Sequence, residues 1–406
     1  MSELQEWVER ATVARARNDN KRAALAWAMV TALDGASADA RHNLGNALAA
    51  LGRRVEAAQN YLDALELDPG RADTRISLGS VLLDLGQTAD ATTLLKEALE
   101  IEPSSVLAAW NLSLALLRQG RWQEGFRLFE NRLLCPGAMA PPVDAPLWDG
   151  RNFEGTLAVW AEQGMGDVLH FARYLKPALE RVKRLILLVH PGLVSLFAFN
   201  FPKAEIHAIG TEIRADRQIA LLSLANLFGV FGDLPPYLAA NPETIEKWQP
   251  RLNGPEFKVG IAWRGNPEHP ADERRSFEVG ALDPVLAVQG IRFLSLQVGQ
   301  AEEPPPQVEN FTHRLTDFSE TAAVVSYLDL VITADTALAH LAGAMNKPCW
   351  TVLRFGGDWR WQDAGESSPW HPSMRLFRQE RPYDWAPPMN ELAQALEVAL
   401  SSSPNF

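Results

Sequence analysis

Two glycines and an aspartate follow a short apolar run in the middle of the chain. The run, residues 157–160, predicts a buried strand, and the amphipathic stretch at 168–179 predicts a helix after it. Gly164 and Gly166 at the turn allow a sharp bend and the close approach of another molecule. Asp167 lies in the first turn of the helix, where its carboxylate could cap free N–H groups or face a substrate and accept a proton.

A histidine one turn later offers a second group for proton transfer. Histidine ordinarily titrates near neutral pH, which suits a general base, so His170 is the alternative to Asp167. A carboxylate held out of water gains basicity, which favours the aspartate. The positive end of a helix has the opposite effect, because it lowers the pKa of an aspartate and weakens it as a base. Both residues are therefore candidates.

A second strand-to-helix junction lies near residue 335. The predicted strand 330–333 is followed by Asp335 and Thr336 and by a helix through residue 345. A helix N-terminus carries partial positive charge and free N–H donors, so it binds phosphate groups. Thr336 and His340 share one face of this helix and could contact a diphosphate. The alternative is that Asp335 or Thr336 only caps the helix and that His340 is a surface histidine.

A third group of polar residues follows the predicted strand at 259–263. Arg264 comes directly after this strand, and Asn266 helps to shape the turn. A guanidinium at the carboxyl edge of a parallel sheet is well placed to neutralise phosphate charge. Arg275, in the next polar loop, could supply the same charge or could form surface ion pairs with neighbouring carboxylates. Gln297, just past the following strand, is a candidate for contact with a ribose or a base.

The composition argues against several classes of protein. The net charge is −12 and no dense run of Lys and Arg is present, which argues against duplex nucleic acid as a partner. Two cysteines argue against a disulfide scaffold. No Asp-x-Asp pair or His/Asp cluster with metal-binding spacing stands out, so we expect neither a metal nor another cofactor. The polar N-terminus and the lack of a long apolar run predict a soluble cytoplasmic protein without a transmembrane segment.

The first 135 residues repeat with a period of 34. Gly52, Gly86 and Gly120 are 34 residues apart, and five other positions follow the same offset. The glycine ends the first helix of each pair and allows the turn into the second. In its period and its residue pattern, this region closely resembles the tetratricopeptide repeat family.

That resemblance implies a helical solenoid of three to four pairs over residues 1–135. The first repeat, at about 6–39, is atypical, and Asn18 stands where the others have glycine. Asparagine tolerates the left-handed backbone conformation that this position requires. The concave face of the solenoid could bind a peptide or a protein, or the repeats could simply brace the next domain.

Beyond the repeats, apolar runs alternate with amphipathic helices, which is typical of parallel α/β folds. A proline-rich linker at 136–150 precedes a first Rossmann-like domain at 151–245 and a second at 255–385. A stretch rich in breakers at 241–255 predicts a hinge between them, and 386–406 holds a final helix and tail. The predicted strands are 157–160, 185–189, 205–208, 259–263, 293–296, 330–333, 350–353 and 375–377.

Two doubly wound units that meet across a cleft resemble the GT-B glycosyltransferase layout. The turn at 164–168 is similar to the first-domain motif of the ADP-heptose heptosyltransferases, and residues 333–344 are similar to their second-domain donor motif. Ala337 departs from that motif, in which glycine is usual. The whole chain resembles bacterial proteins that fuse tetratricopeptide repeats to such a domain. Its matching motifs are Trp-Asp-Gly at 148–150, Glu-Gln-Gly-x-Gly-Asp at 162–167, Trp-x-Gly-Asn-Pro at 263–267 and Asp-Trp-Arg-Trp at 358–361.

The resemblance implies a metal-independent, inverting glycosyltransferase that uses a nucleotide-activated sugar. On this interpretation Asp167 is the base, His170 is the alternative base, and Gln163, Gly164 and Gly166 form a loop on the acceptor side. The residues that would contact the donor and its nucleotide are Arg264, Asn266, Arg275, Gln297, Asp335, Thr336, Ala337 and His340.

The acceptor is expected to be a protein that the repeats recruit. Heptose transfer to a cell-surface saccharide is the enzymatic alternative, although a small saccharide would not need the repeats. A non-catalytic scaffold is the alternative from another class. Trp359, Trp361 and Trp370 could stack on a sugar or a base near the cleft, or could belong to the core, as aromatic residues usually do.

Overall fold

The 34-residue repeat forms paired helices. The structure, a computed structural model, describes residues 2–229, 231–232, 235–268, 272–299 and 303–402. Before residue 138, the described residues form four helix pairs, the upper end of the predicted range. These helices are α1 Glu3–Ala16, α2 Asn20–Leu33, α3 Ala38–Ala50, α4 Arg54–Leu67, α5 Ala72–Asp84, α6 Thr88–Ile101, α7 Val106–Arg118 and α8 Trp122–Phe129.

The turn within each pair depends on a left-handed residue. Gly52, Gly86 and Gly120 have φ angles of 77°, 72° and 74°. Asn18 takes the equivalent conformation in the first pair, with φ 55°, as predicted. A β-carbon is strained at such angles for most residues, and asparagine is among the few that tolerate them.

Small residues bring the two helices of a pair together. A β-carbon on Gly45 would lie 2.6 Å from the Tyr61 ring, and one on Gly79 would lie 2.7 Å from the Leu95 side chain. Both large side chains are fully buried. The repeat pattern therefore encodes close contact between α3 and α4 and between α5 and α6, since the glycine on one helix leaves room for the large residue on the other.

A short segment from late in the chain belongs to the helical unit. The chain forms two compact units: Met1–Ala138 with Gly356–Asp363, and Met139–Phe355 with Ala364–Phe406. We call Gly356–Asp363 the inserted segment. The sequence predicts these residues in the second Rossmann-like domain, because nothing in their local pattern indicates that they pack against the repeats, and the structure corrects this prediction.

The inserted segment contributes a tryptophan to the aromatic core of the last repeat. The Trp359 ring centroid lies 5.6 Å from that of Phe126 and 6.1 Å from that of Phe129, with edge-to-face geometry. Asp363 forms an ion pair with Arg118 on α7. Trp359 is only 5% exposed. It therefore packs as a core residue of the helical unit and is not available to stack on a sugar.

The second unit contains two parallel sheets. The first sheet has the order β3-β2-β1-β4, and the second has the order β7-β6-β5-β8-β9-β10. All pairings within each are parallel. The second sheet has the strand order of a doubly wound nucleotide-binding fold. The strands are β1 Phe153–Trp160, β2 Val182–Val189, β3 Ala204–Ala208, β4 Arg217–Ala220, β5 Phe257–Ala262, β6 Ile291–Ser295, β7 Val308–Glu309, β8 Leu330–Ala334, β9 Cys349–Leu353 and β10 Met374–Arg378.

Helices connect the parallel strands. They are α9 Met165–Phe171, α10 Leu175–Leu179, α11 Val194–Asn200, α12 Ser223–Phe228, α13 Pro242–Leu252, α14 Asp272–Arg275, α15 Asp283–Leu286, α16 Phe318–Tyr327, α17 Ala337–Ala344 and α18 Ala386–Ser402. The architecture is therefore a tetratricopeptide solenoid followed by two Rossmann-like sheets, as predicted. Among the described residues, none of the helices has both the length and the apolar character that crossing a membrane requires.

All eight predicted strands are present, but two further strands escaped prediction. These are β4, with four residues, and β7, with two. β7 has only two residues, and β4 starts with the polar Arg217 and Gln218, so neither contains an apolar run that can be recognised. Of the two, β4 is important for the candidate site, because it pairs directly with β1 and the strand order of the first sheet reverses between them.

The stretch at 241–255, predicted as a hinge because it is rich in breakers, is mostly a helix. Asn241 caps α13 by accepting a hydrogen bond from the backbone N–H of Glu243, and Pro242 occupies the first turn. Proline is tolerated there because the first N–H groups of a helix have no partner within the helix. The asparagine and proline were interpreted as breakers, although together they start a helix.

We expect Trp359→Ala to destabilise the helical unit, because it removes a large side chain from the aromatic core of the last repeat. Truncating a buried tryptophan costs about 3–5 kcal/mol. Hydrogen exchange and denaturant unfolding would measure the loss, with the fastest new exchange in α7 and α8. Val55→Ala is the control, since Val55 is largely exposed. Equal exchange in the two variants would contradict the role of the inserted segment.

Candidate active site

The predicted site residues follow the strands at which each sheet reverses its order. In the first sheet this point lies between β1 and β4, and in the second it lies between β5 and β8. Ligands of open α/β sheets bind at the carboxyl ends of the strands at such a switch point. Gln163 and Asp167 follow β1, Arg264 follows β5, and Asp335 follows β8.

The loop after β1 leads directly into α9. Gly164 is the residue before the helix, so α9 starts at Met165, three residues earlier than predicted. Asp167 is the third helical residue and is half-buried. The His190 imidazole, at the end of β2, donates a hydrogen bond from Nε2 to the backbone oxygen of Gln163 at 2.6 Å. His190 is not among the predicted site residues, because its contact with this loop depends on the pairing of β2 with β1.

A threonine in the loop after β8 caps the helix α17. The Thr336 hydroxyl accepts a hydrogen bond from the backbone N–H of Leu338 at 3.3 Å and lies 3.2 Å from the Thr333 hydroxyl. The capping alternative considered for Thr336 is therefore present in the structure. Asp335 and Ala337 are half-buried, and His340 is 5% exposed. His340 is thus not a surface histidine.

The two loops meet where α9 packs on α17. A β-carbon on Gly166 would lie 3.1 Å from Cδ2 of His340 and 3.4 Å from Cα of Ala337. The first contact is tighter than side chains normally make. Gly166, predicted on the acceptor side, thus lies directly against His340 and Ala337, which are predicted on the donor side. Glycine at position 166 allows that approach.

Three histidines cluster at this contact. The ring centroids of His170 and His340 are 5.2 Å apart, and those of His170 and His371 are 5.7 Å apart. The exposed fractions of His170 and His371 are 1% and 2%. The Trp370 ring packs edge-to-face on His170 at 5.0 Å. His371 is not among the predicted site residues, because it lies about 200 positions from His170 and shares no local pattern with it.

Arg173 anchors the cluster. Its Nε donates to the backbone oxygen of His170 at 2.9 Å, and its Nη2 donates to Nε2 of His371 at 3.2 Å. Nη1 donates to the Gly232 oxygen at 3.1 Å, and Nη2 also donates to the Tyr237 hydroxyl at 3.3 Å. The side chain is buried. Within the ranges that the structure describes, no carboxylate pairs with this guanidinium.

Burial sets the protonation of the groups around Arg173. It lowers the pKa of the His371 imidazole well below its ordinary value, and the charges of Arg173 and His340 act in the same direction. A backbone hydrogen bond with Gly343 opposes this shift. Burial also raises the pKa of the Tyr237 hydroxyl. His371 is therefore a neutral imidazole whose Nε2 accepts the hydrogen bond from Arg173.

The cluster could supply metal ligands, but Arg173 opposes this. One ligand atom from each of the three histidines lies within 4.8 Å of the others. A zinc ion bonds to histidine nitrogens at about 2.0–2.1 Å, so the rings would have to close around it. Arg173 already donates to Nε2 of His371, and its fixed positive charge would repel a cation there. The geometry therefore favours a metal-free cluster.

The donor-side loop after β5 is held by Gln297. Its Oε1 accepts from the backbone N–H groups of Trp263 and Arg264 at 2.9 and 2.8 Å, and its Nε2 donates to the Arg264 oxygen at 3.2 Å. The Asn266 side chain likewise accepts from the backbone N–H of Glu268. Both side chains thus shape the loop that carries Arg264.

Two arginines near this loop differ in their availability. Arg275 pairs with Asp272, with its Nε 3.4 Å from Oδ1, as in the ion-pair alternative. Arg264 is half-buried, and its guanidinium has no hydrogen bond or ion pair with any described residue. Of the two, Arg264 is the cation that is available to a ligand.

Both the repeats and the α/β part of the chain match models of known protein families. Residues 38–71 and 76–142 match models of the tetratricopeptide repeat. Residues 314–402 match the model of glycosyltransferase family 9 (heptosyltransferase), a range that includes α17 and His371. The chain thus carries tetratricopeptide repeats and a glycosyltransferase family 9 domain.

Three individual proteins are similar to part of this chain. Protein FlbA of Caulobacter vibrioides is 30% identical over 322 residues, which are 69% of this chain and 53% of FlbA. The chain therefore spans about half the length of that curated relative. The crystal structure of MamA is 21% identical, with TM-score 0.31, over 32% of this chain and 75% of MamA. YrrB, a TPR protein with an unusual peptide-binding site, is 24% identical, with TM-score 0.29, over 31% of this chain and 64% of YrrB.

We expect Gly166→Ala to separate α9 from α17. The added methyl group would overlap His340, and overpacking of this kind costs about 1–3 kcal/mol. Thermal unfolding and the NMR shifts of the His340 ring would report the change. Gly192→Ala is the control on the neighbouring loop, where a β-carbon would meet its nearest atom at an ordinary 3.7 Å. If both variants behave alike, the close contact does not constrain position 166.

Proposed function

We propose that this protein transfers a sugar from a nucleotide-activated donor to a protein acceptor, with inversion and without a metal ion. The glycosyltransferase family 9 domain supports the class of reaction. The single observation that carries the proposal is the arrangement at the switch point of the second sheet, where an available arginine and the N-terminus of α17 follow adjacent strands.

This arrangement suits a diphosphate. Ala262 on β5 is paired with Thr333 on β8, so Arg264 and Asp335 leave the sheet at the same edge, two residues beyond that pair. The guanidinium of Arg264 would neutralise a departing nucleoside diphosphate, and the partial positive charge at the N-terminus of α17 would stabilise its oxygens. A protein cation in this position supplies the charge that a metal ion provides in other transferases.

Proton transfer is assigned to Asp167 because its exposure differs from that of His170. Asp167 is half-buried in the first turn of α9, whereas the His170 ring is packed among His340, Trp370 and Phe171. A general base must come within hydrogen-bond reach of the proton it removes. Asp167 would take the proton from the acceptor hydroxyl as its oxygen bonds to the sugar carbon. The bond from that carbon to phosphate breaks, and the diphosphate leaves with the electron pair.

The repeats support a protein acceptor. A hydrogen-bonded chain links Thr74, His42, Asn46 and Tyr61 across two repeats, with donor–acceptor distances of 2.9, 2.9 and 2.7 Å. Such a network fixes the side chains in place before a partner binds, which reduces the entropy lost on binding. Burial lowers the pKa of the His42 imidazole, so the network is neutral near physiological pH. Thr74, His42 and Tyr61 are buried, so the network orders the core beneath the repeat surface, and the half-buried Asn46 is the member that a bound peptide could reach.

Heptose transfer to a saccharide is the second candidate, and the description of the matching family model favours it. A labelled donor and a cell extract separate the two acceptors. Label that a protease converts to small peptides supports a protein acceptor, whereas protease-resistant label in a saccharide supports the second candidate. A non-catalytic scaffold would give no label and no saturable heat with any nucleoside diphosphate.

We expect Asp167→Asn to abolish most of the turnover while donor binding is retained. Loss of a general base typically lowers the rate by about 10²–10⁴-fold. A thermal-shift screen would identify the donor, since a ligand that binds only the folded protein raises Tm. The transfer rate and the calorimetric Kd of the matching nucleoside diphosphate would then be measured. Asp149→Asn, at an exposed carboxylate in another loop, is the control. Wild-type turnover in Asp167→Asn would remove this residue from catalysis.

We expect Arg264→Ala to weaken the binding of nucleoside diphosphate by about 10- to 100-fold, the range for a lost hydrogen bond to a charged group. Calorimetric titration would measure the affinity. Arg151→Ala is the matched control, because its side chain is 88% exposed and it lies before β1, at the amino end of that strand. An unchanged affinity in Arg264→Ala would place the diphosphate elsewhere.

A further inference from the structure

The carboxyl ends of α9 and α17 are joined through one side chain. Arg173 lies on the single 3-10 turn that follows α9, and its Nε holds the last turn of that helix at the His170 oxygen. The other donors of this guanidinium reach Gly232, Tyr237 and His371, which all lie outside α9 and its strand.

Two of these partners, Tyr237 and His371, contact the last two residues of α17. The backbone N–H of Tyr237 donates to the oxygen of Ala344, the last residue of α17, at 3.1 Å. The His371 ring lies against Gly343, where a β-carbon would be only 2.5 Å from it. Arg173 therefore connects the end of α9 to the end of α17 through two independent contacts.

The surroundings of Arg173 are unusual for a buried cation. Its acceptors are two backbone oxygens, a hydroxyl and a neutral imidazole, and its guanidinium lies over the rings of Tyr237 and Trp370, each at 5.2 Å. A buried charge without a counter-ion is tolerated only when every donor is satisfied. The guanidinium can therefore be held only where all of these partners are in place at once, which makes its position sensitive to the spacing of the two helices.

We propose that Arg173 is a positioning residue that fixes α9 against α17 and so sets Asp167 relative to the N-terminus of α17. The proposal rests on the function proposed above, because it assigns Asp167 and α17 to opposite reactants. Gly166 sets the contact at the start of the two helices, and Arg173 sets it at their ends. A displacement of about 1 Å between reacting groups can lower a rate on the order of 10²-fold, even when binding is unchanged.

The test compares Arg173→Met with Arg181→Met. Methionine is close to arginine in length but has neither charge nor donors. Arg181 is the matched control, since it also lies over an aromatic ring, Phe228 at 4.8 Å, and donates to a backbone oxygen, that of Pro177 at 2.7 Å. Its partners, Phe228 and Pro177, lie on α12 and α10 beside the first sheet, so the loss of Arg181 should leave the α9–α17 contact intact.

The kinetic readout separates positioning from a general loss of structure. In Arg173→Met we expect kcat to fall on the order of 10²-fold, while the Kd of the nucleoside diphosphate stays within about threefold and its stoichiometry stays near one. Arg173→Lys should recover only part of kcat, because an ammonium cannot reach all four acceptors. Loss of kcat in proportion to lost binding sites would instead show partial unfolding and would overturn the proposal.

A distance measurement tests the contact without any reaction. Spin labels at Lys203 and Gln394, on exposed positions of the two halves, would be placed in a Cys135→Ser background. We expect a broader or longer distance distribution in Arg173→Met and the wild-type distribution in Arg181→Met. A wild-type distribution in both would overturn the proposal. A changed distance with no sugar transfer by the wild type would reject the proposed function and leave the positioning contact standing.

Discussion

The contact between α9 and α17 is the constraint on which the site depends. At its start, a β-carbon on Gly166 would lie 3.1 Å from Cδ2 of His340, so the ring would have to shift by a few tenths of an ångström. At its end, Arg173 binds the His170 oxygen together with His371 and Tyr237. One end leaves little room for a side chain and the other requires a particular one. The relative position of the two helices is therefore defined by sterics at one end and by directional hydrogen bonds at the other, which is a tighter restraint than apolar packing alone provides.

The parallel sheets explain why this contact lies near the proposed site. Every strand of a parallel sheet ends at the same edge, and the reversal of strand order opens a crevice there. In the second sheet, the reversal lies between β5 and β8, which deliver Arg264 and the N-terminus of α17. In the first sheet it lies between β1 and β4, and β1 delivers α9. The fold alone does not define a reaction, but it brings a cation, a helix N-terminus and a carboxylate to equivalent edges of two sheets.

Local patterns in the sequence predicted the elements, whereas long-range packing defined the site. The apolar runs and the turn at Asn18 depend on residues that are close together in the chain, and the 34-residue period repeats such a local pattern. The structure contains the helices, strands and turns that these patterns predict. Gln297, predicted from its place after a strand, is indeed at the edge, but its carboxamide holds the loop of Arg264. The roles of His371 and Arg173 depend on residues about 200 positions apart, and the inserted segment packs on repeats more than 200 positions earlier. No period or spacing can indicate such contacts, because they depend on how whole elements meet.

The charge on Arg173 also determines the state of the histidine cluster. A buried guanidinium beside His371 keeps that imidazole neutral, since burial and the nearby positive charge both lower its pKa. A neutral Nε2 can in turn accept the hydrogen bond that holds the guanidinium in place. The two groups therefore maintain each other, and a cation bound by the three histidines would have to break this pair first. The same interaction that orders the helices thus opposes the binding of a cation in the cluster.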